Sequence, residues 1–129
     1  MKAIDIHTAL DSIRSGRIMT LEPQTQPLTQ LMPFQPGASA IHLGRLTGES
    51  PWERHPDGDK LLQVLEGELD ITLLAAIGVL QETIRAGAIL VVPRGLWHRL
   101  NGREAAVLAV VPRHGESSAH PPALASQPA

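Results

Sequence analysis

The chain has 129 residues, 43% of them hydrophobic and 19% charged, which is typical of a protein with one core. Its formal charge of −2 and its lack of clustered Lys or Arg argue against nucleic acid or an anionic membrane as a partner. The absence of cysteine excludes disulfides, thiolate zinc sites and thiol nucleophiles. No secretory leader or membrane-length apolar run is recognisable, so we expect a single-domain cytoplasmic protein.

One short helix is predicted near the start of the chain. Apolar residues recur at positions 6, 9, 10 and 13, whereas Asp11 lies on the polar side of the same turn pattern. The next segment, residues 16–37, is rich in proline and predicts extended pieces and turns. We therefore expect residues 1–36 to form a helix and a segment that wraps around the rest of the fold.

Short strands dominate the middle of the chain. They are rich in Val, Ile and Leu and are mostly separated by Gly or Pro turns. Their predicted bounds are 38–46, 60–65, 68–74, 79–84, 89–92, 97–100 and 105–110. This spacing predicts an all-β sandwich or barrel over residues 37–112. Residues 113–129 carry almost no large apolar side chain, which predicts a flexible or loosely docked C-terminal tail.

The segment 87–98 places a single histidine at a defined point. Residues 89–92 are apolar and suit a buried strand, which Pro93 ends because it cannot donate to a ladder. Gly95 then allows a positive φ in the turn, and His98 enters the next strand. The pattern Gly-x5-Pro-x-Gly-x2-His resembles the second motif of the cupin superfamily, whose last residue usually binds a metal inside a small β-barrel.

The segment 52–68 aligns without gaps to the first cupin motif. Glu53 stands where the family has its first histidine, His55 matches the second, and Lys60 occupies the glutamate position. The resemblance covers residues 52–101 and implies a cupin double-stranded β-helix, or jelly-roll barrel, with one short N-terminal helix. The first motif is degenerate, because two of the family's four ligand positions are changed.

Two interpretations of this centre remain open. His55 and His98 with the Glu53 carboxylate form a ligand set suited to iron, manganese or zinc, and Asp59 could replace the lost glutamate from its turn. Against this, the ammonium of Lys60 has no lone pair, repels a cation and could instead pair with Glu53. In that case Asp59 would only stabilise the turn in which it lies.

The tryptophans and one apolar hairpin suggest further contacts. Trp52 and Trp97 adjoin the motif residues and could flank a small ligand, although strand alternation favours packing elsewhere. The predicted hairpin 71–80 has an apolar turn, which predicts a cover such as a second subunit or the chain's own termini. Small cupins are commonly dimers, so the resemblance implies a homodimer.

Three functions are compatible with this sequence. The first is a small-molecule-binding cupin of unassigned activity, in which Lys60 and Glu53 recognise a small polar or acidic ligand. The alternative is a metal-dependent cupin enzyme of dioxygenase, isomerase or lyase type. The third is a structural partner protein that uses the apolar hairpin. His7, His42, His114 and His120 lie outside both motifs and are interpreted as ordinary surface or packing residues.

Overall fold

The computed structural model describes residues 2–13, 16–17 and 28–122. In these ranges there is one helix, α1 (Ile6–Ser12). The described strands are β1 (Gly16–Arg17), β2 (Thr29–Pro33), β3 (Ser39–Glu49), β4 (Trp52–Arg54), β5 (Lys60–Ala75), β6 (Gly78–Arg85), β7 (Ile89–Val92), β8 (Trp97–Pro112) and β9 (Glu116–Ser118). The prediction of an all-β protein with one short N-terminal helix is confirmed. Over the described ranges, no helix has the length and apolar character needed to cross a membrane.

Strand β8 lies at the centre of a curled sheet. It pairs antiparallel with β3 and β4 along one edge and with β5 along the other. β5 pairs in turn with β6 and β7, whereas β2 and β1 pair with β3. This arrangement brings β4 next to the start of β8, where the two sequence motifs meet.

Two predicted turns are bulges inside long strands. The sequence predicted separate strands on either side of Gly67, but β5 continues through this position with a register shift against β8. Gly67 has a φ of 72°, and a Cβ at this position would lie 2.2 Å from the carbonyl oxygen of Glu104. The backbones of β5 and β8 therefore approach each other so closely here that only glycine fits. β8 likewise runs unbroken through the turn that we expected after residue 100.

The barrel core lies inside the curl, and α1 covers part of the outer face. The inner side chains with almost no exposure include Leu62, Val64, Leu69, Ile71 and Leu100. On the outer face, α1 packs Leu10 against Leu43 and Ala106. The helix begins at Ile6 because the Asp5 carboxylate accepts a hydrogen bond from the Thr8 amide at 2.9 Å.

Part of the C-terminal segment, which was predicted to be a flexible or loosely docked tail, docks against the barrel as a strand. Glu116–Ser118 forms β9, which pairs antiparallel with β4. Composition could not indicate this, because the pairing is made by backbone groups at an open strand edge and needs no apolar side chain. Residues 123–129 of the predicted tail and residues 18–27 of the wrapping segment lie outside the described residues.

The β5–β6 hairpin closes through a two-residue turn, Ala76 and Ile77. Gly78, which follows the turn, has a φ of 129°. The Ile77 side chain is 86% exposed, so no described part of the chain covers it. A cover from a second subunit therefore stays a prediction.

Candidate functional site

The strand register brings the two sequence motifs together. Glu53 on β4 lies directly opposite His98 on β8, and His55 follows one residue after β4 ends. The amide of Gly95 donates to the carbonyl of His55 at 2.9 Å, so the Pro93–Gly95 turn holds the chain beside the histidine. Lys60 is the first residue of β5 and also points into this region.

Four polar side chains meet in the interior of the barrel. Their exposed fractions are 9% for Glu53, 6% for His55, 3% for Lys60 and 1% for His98. Candidate ligand atoms of Glu53, His55 and His98 all lie within 4.8 Å of one another. The site predicted from the two motifs is therefore assembled around these four residues.

Backbone carbonyls orient both imidazoles. Nδ1 of His55 lies 3.1 Å from the carbonyl oxygen of His114, and Nδ1 of His98 lies 3.2 Å from that of Leu96. Because a carbonyl can only accept, each Nδ1 carries a hydrogen, and Nε2 is the ring nitrogen that faces the centre. Nε2 of His55 is buried without a hydrogen-bond partner among the described residues and lies 3.7 Å from Oε2 of Glu53.

Lys60 supplies the positive charge at this centre. Its Nζ lies 3.4 Å from Nε2 of His98 and 3.7 Å from Oε2 of Glu53. The ammonium thus donates toward one imidazole lone pair and balances the buried carboxylate. Glu53, His55 and His98 fit a divalent metal by donor type and spacing, whereas Lys60 does not.

The fold and this motif geometry agree with the family comparison. The model of the cupin-domain family matches residues 31–112, which is more than half of the chain. The chain belongs to the cupin family. The predicted family is thereby confirmed.

This cupin is similar to one curated protein and to several solved structures. The Bacillus subtilis (strain 168) protein YdbB, described as uncharacterized, is 41% identical over 61 residues, covering 46% of this chain and 50% of YdbB. The cupin therefore matches about half the length of this relative. Protein NMB1881 from Neisseria meningitidis has a TM-score of 0.61 at 24% identity, covering 84% of this chain and 97% of that one.

An enzyme of known structure shares the fold as well. The hydroquinone 1,2-dioxygenase PnpCD, solved in complex with Cd²⁺ and 4-hydroxybenzonitrile, has a TM-score of 0.56 at 17% identity. The alignment covers 70% of this chain and 68% of the dioxygenase chain. At such identities the similarity shows the jelly-roll barrel alone, and it confirms that part of the fold prediction.

The electrostatics of the centre follow from burial and from Lys60. Burial pushes the pKa of Glu53 upward, but the Lys60 ammonium and the neighbouring histidines outweigh it, and the net pKa falls from 4.5 to about 2. Burial also lowers the pKa of His98 from 6.5 to about 3, and the Lys60 charge adds to this effect. At neutral pH, Glu53 is therefore ionised and His98 is neutral.

Three other predicted site residues are not brought into the cluster. Asp59 is exposed, and its carboxylate accepts a hydrogen bond from the amide of Arg94 at 2.8 Å, which is a turn contact. The Arg99 guanidinium lies 4.7 Å from the ring centre of Trp52, and that of Arg54 lies 4.7 Å from the ring centre of Trp97. The tryptophans stack against arginines because residues next to inward-pointing ones face the other way.

A cavity of about 560 Å³ opens beside Glu53 and His55. This volume suits a small organic molecule. Lys60 and His98 do not line it. Its other polar lining includes Gln30, Ser39, His42, Arg113, Glu116 and Ser117.

His42 and the C-terminal residues of this cavity were not predicted from the sequence as site residues. His42 was interpreted as an ordinary residue, but its Nδ1 is buried without a hydrogen-bond partner among the described residues. Burial lowers the pKa of His42, and the nearby Lys60 charge acts in the same direction. Neither His42 nor Arg113 belongs to a motif, and only the pairing of β3 and β9 with their neighbours brings these segments to the cavity.

Proposed function

We propose that this protein is a small-molecule-binding cupin in which the Lys60 ammonium takes the role of the cation at the barrel centre. The observation that carries the proposal is the position of Nζ, 3.4 Å from Nε2 of His98 and 3.7 Å from Oε2 of Glu53, on a side chain that is 3% exposed. A buried lysine with these neighbours satisfies a carboxylate and an imidazole lone pair without any bound ion.

Electrostatics oppose a metal while Lys60 keeps this position. Two unit charges about 4 Å apart repel each other by about 4 kcal/mol at an effective dielectric constant near 20, and a divalent ion doubles that figure. The three remaining ligands would have to overcome this repulsion. We therefore expect weak metal binding in the native protein.

The charges around the cavity favour an anionic ligand. Glu53 is balanced by Lys60, and Glu116 forms an ion pair with Arg54. Arg113 donates to the carbonyl of Gly37 at 3.4 Å and makes no ion pair with a described carboxylate. Since Lys60 does not line the cavity, Arg113 takes over the anion-recognising role first predicted for Lys60.

The ligand also needs a hydrogen-bond donor. The Glu53 carboxylate accepts hydrogen bonds, and both Glu53 and His55 line the cavity. A hydroxyl group suits this end of the cavity, whereas a carboxylate suits the guanidinium. The ligand class that we propose is a small hydroxylated carboxylic acid.

The second candidate is a metal-dependent enzyme. It is favoured by the three candidate ligand atoms within 4.8 Å and by the two imidazoles that present Nε2. Glu53, His55 and His98 would hold the ion, which when bound would polarise an oxygen atom of a substrate. The dioxygenase that shares the fold was solved with Cd²⁺, which is a precedent at the level of fold alone.

Metal titration of protein purified without a histidine tag separates the two functions. Lys60→Glu should raise zinc or manganese affinity at least tenfold, or about 1.4 kcal/mol, because it removes the ammonium and adds a carboxylate. Lys2→Glu makes the same charge change on the other lysine of the chain, which is exposed, and should have no such effect. His98→Ala in the Lys60→Glu background should abolish the gain.

Lys60→Glu also brings a second carboxylate beside Glu53, so its folding is checked separately. Without metal we expect a lower thermal midpoint, because two buried carboxylates repel each other, and added metal should restore it. Lys60→Gln provides a neutral variant in which metal affinity should also rise. Tight stoichiometric metal in the wild type would overturn the proposal in favour of the enzyme.

A further inference from the structure

The chain leaves the barrel after β8 and returns across the site. Residues 113–118, here called the C-terminal strap, follow β8 and include β9, which pairs with the strand that carries Glu53. The strap contributes Arg113, Gly115, Glu116 and Ser117 to the cavity wall. It is therefore part of the site by position.

We propose that the C-terminal strap positions His55: the His114 carbonyl holds the imidazole in the tautomer that presents Nε2, and Gly115 leaves the space that the ring occupies. His114 acts through its backbone alone, since its own side chain faces Asp57 at 3.7 Å on the surface. Both residues are positioning residues, because the group that faces the centre is His55.

The hydrogen bond defines the state of the ring. Nδ1 of His55 lies 3.1 Å from the His114 carbonyl oxygen. The carbonyl fixes a hydrogen on Nδ1, and Nε2 then faces Glu53, 3.7 Å away. Without this carbonyl, nothing else among the described residues hydrogen-bonds to either ring nitrogen.

The absence of a side chain at Gly115 allows the C-terminal strap to lie close to the His55 ring. A Cβ at this position would lie 3.1 Å from both Cε1 and Nδ1 of His55, which is tighter than ordinary van der Waals contact. Gly115 has no positive φ, so an alanine here meets the ring rather than backbone strain. The ring has little freedom to retreat, because the carbonyl of His55 accepts from Gly95 and the far side of the ring faces Glu53.

The strap is anchored on both sides of these two residues. Before them, the amide of Arg113 donates to the carbonyl of Ala38 at 2.8 Å. After them, β9 pairs with all three residues of β4, and Glu116 forms an ion pair with Arg54. These contacts on both sides fix the position of the His114 carbonyl relative to β4, the strand that carries Glu53.

The test is the tautomer of each histidine, read from nitrogen shifts of ¹⁵N-histidine-labelled protein at neutral pH. In the wild type we expect the Nδ1–H form at both His55 and His98. Gly115→Val and a chain ending at Pro112 should convert His55 to a mixture or to the Nε2–H form. His98 should stay unchanged as an internal control, because Leu96 holds it.

Gly58→Ala is the matched glycine control. A Cβ at Gly58 would make only an ordinary contact with Pro112, at 3.5 Å, so His55 should not change. Gly115→Ala gives a milder form of the same perturbation should the truncated chain lose its fold. A wild-type His55 in the Nε2–H form overturns the proposal, as does a change at both histidines or at neither in the Gly115 variants. The histidine tautomer is measured without metal or ligand. A result that overturns the proposed function would therefore leave this inference standing.

Discussion

Glu53 lies directly opposite His98 across the β4–β8 strand pair, and Lys60 reaches both side chains from β5. One register therefore places a carboxylate, an imidazole and an ammonium in contact in the barrel interior. A slip of one residue in this pair would turn Glu53 outward and would expose the charge of Lys60 to an apolar interior.

Replacement of Gly95 by valine should destabilise the protein. Gly95 has a φ of 82°, and a β-branched residue in that region costs on the order of 1 kcal/mol or more. A Cβ here meets no atom within 4 Å, so the cost comes from the backbone and not from a clash. Thermal unfolding of Gly95→Val should show a lower midpoint than that of Gly95→Asn, because asparagine tolerates positive φ better. Equal midpoints for wild type and Gly95→Val would show that the turn assignment is wrong.

Stability should fall on acidification, starting below pH 6.5. The pKa of His98 is about 3 in the folded protein, whereas the ordinary pKa of histidine is 6.5, so the unfolded chain binds a proton that the folded chain does not. The stabilisation is complete above pH 6.5 and is lost as the pH falls toward 3, by up to about 1.4 kcal/mol per pH unit. Glu53 adds a loss of stability of the same sign as the pH falls from its ordinary pKa of 4.5 to its folded-state pKa of about 2.

Urea unfolding between pH 7.5 and 5 measures this slope. His98→Gln should flatten it, whereas His120→Gln, at an exposed position, should leave it unchanged. A free energy of unfolding that stays constant over this range in the wild type would contradict the buried neutral state of His98.

Loss of the guanidinium at Arg113 should weaken binding of a small hydroxy acid about tenfold, because a charge-assisted hydrogen bond and the cavity's unbalanced positive charge are removed. Glycerate serves as the probe, and glycerol tests the hydroxyl groups without the carboxylate. Arg94→Gln, at an exposed arginine outside the cavity lining, is the control. Binding of glycerate that is the same in wild type and Arg113→Gln would exclude the assigned role of Arg113.

An exposed apolar surface on β6, β7 and their hairpin should form a homodimer contact. Its exposed side chains are Ile77, Val79, Leu80, Ile89 and Val91. Within the described strands, β6 and β7 each pair only with β5, so their outer edges are open to a second copy of the same edge. Ile77→Asp and Val91→Asp should lower the mass measured by sedimentation equilibrium. Ala119→Asp, at an exposed position outside this surface, should not. A monomeric wild type would show that the patch is simply exposed.

The sequence predicted those parts of the site that depend on neighbours along the chain. The Pro93–Gly95 turn sets the position of His98 along its strand and the direction of its side chain. The two-residue spacing of Glu53 and His55 puts both side chains on one side of the backbone. The helix from Ile6 likewise follows from local periodicity and the Asp5 cap. These signals are short-range, so a single sequence contains them.

Only the tertiary structure decided which segments adjoin the site. His42 reaches the cavity through the pairing of β3 with β8, and the His114 carbonyl reaches His55 because β9 pairs with β4. Both pairings are made by backbone hydrogen bonds between segments far apart in the chain, and such bonds leave no pattern in side-chain composition. The partner of Lys60 was decided in the same way, because alternation along a strand sets which face a residue occupies but not which strands lie opposite it.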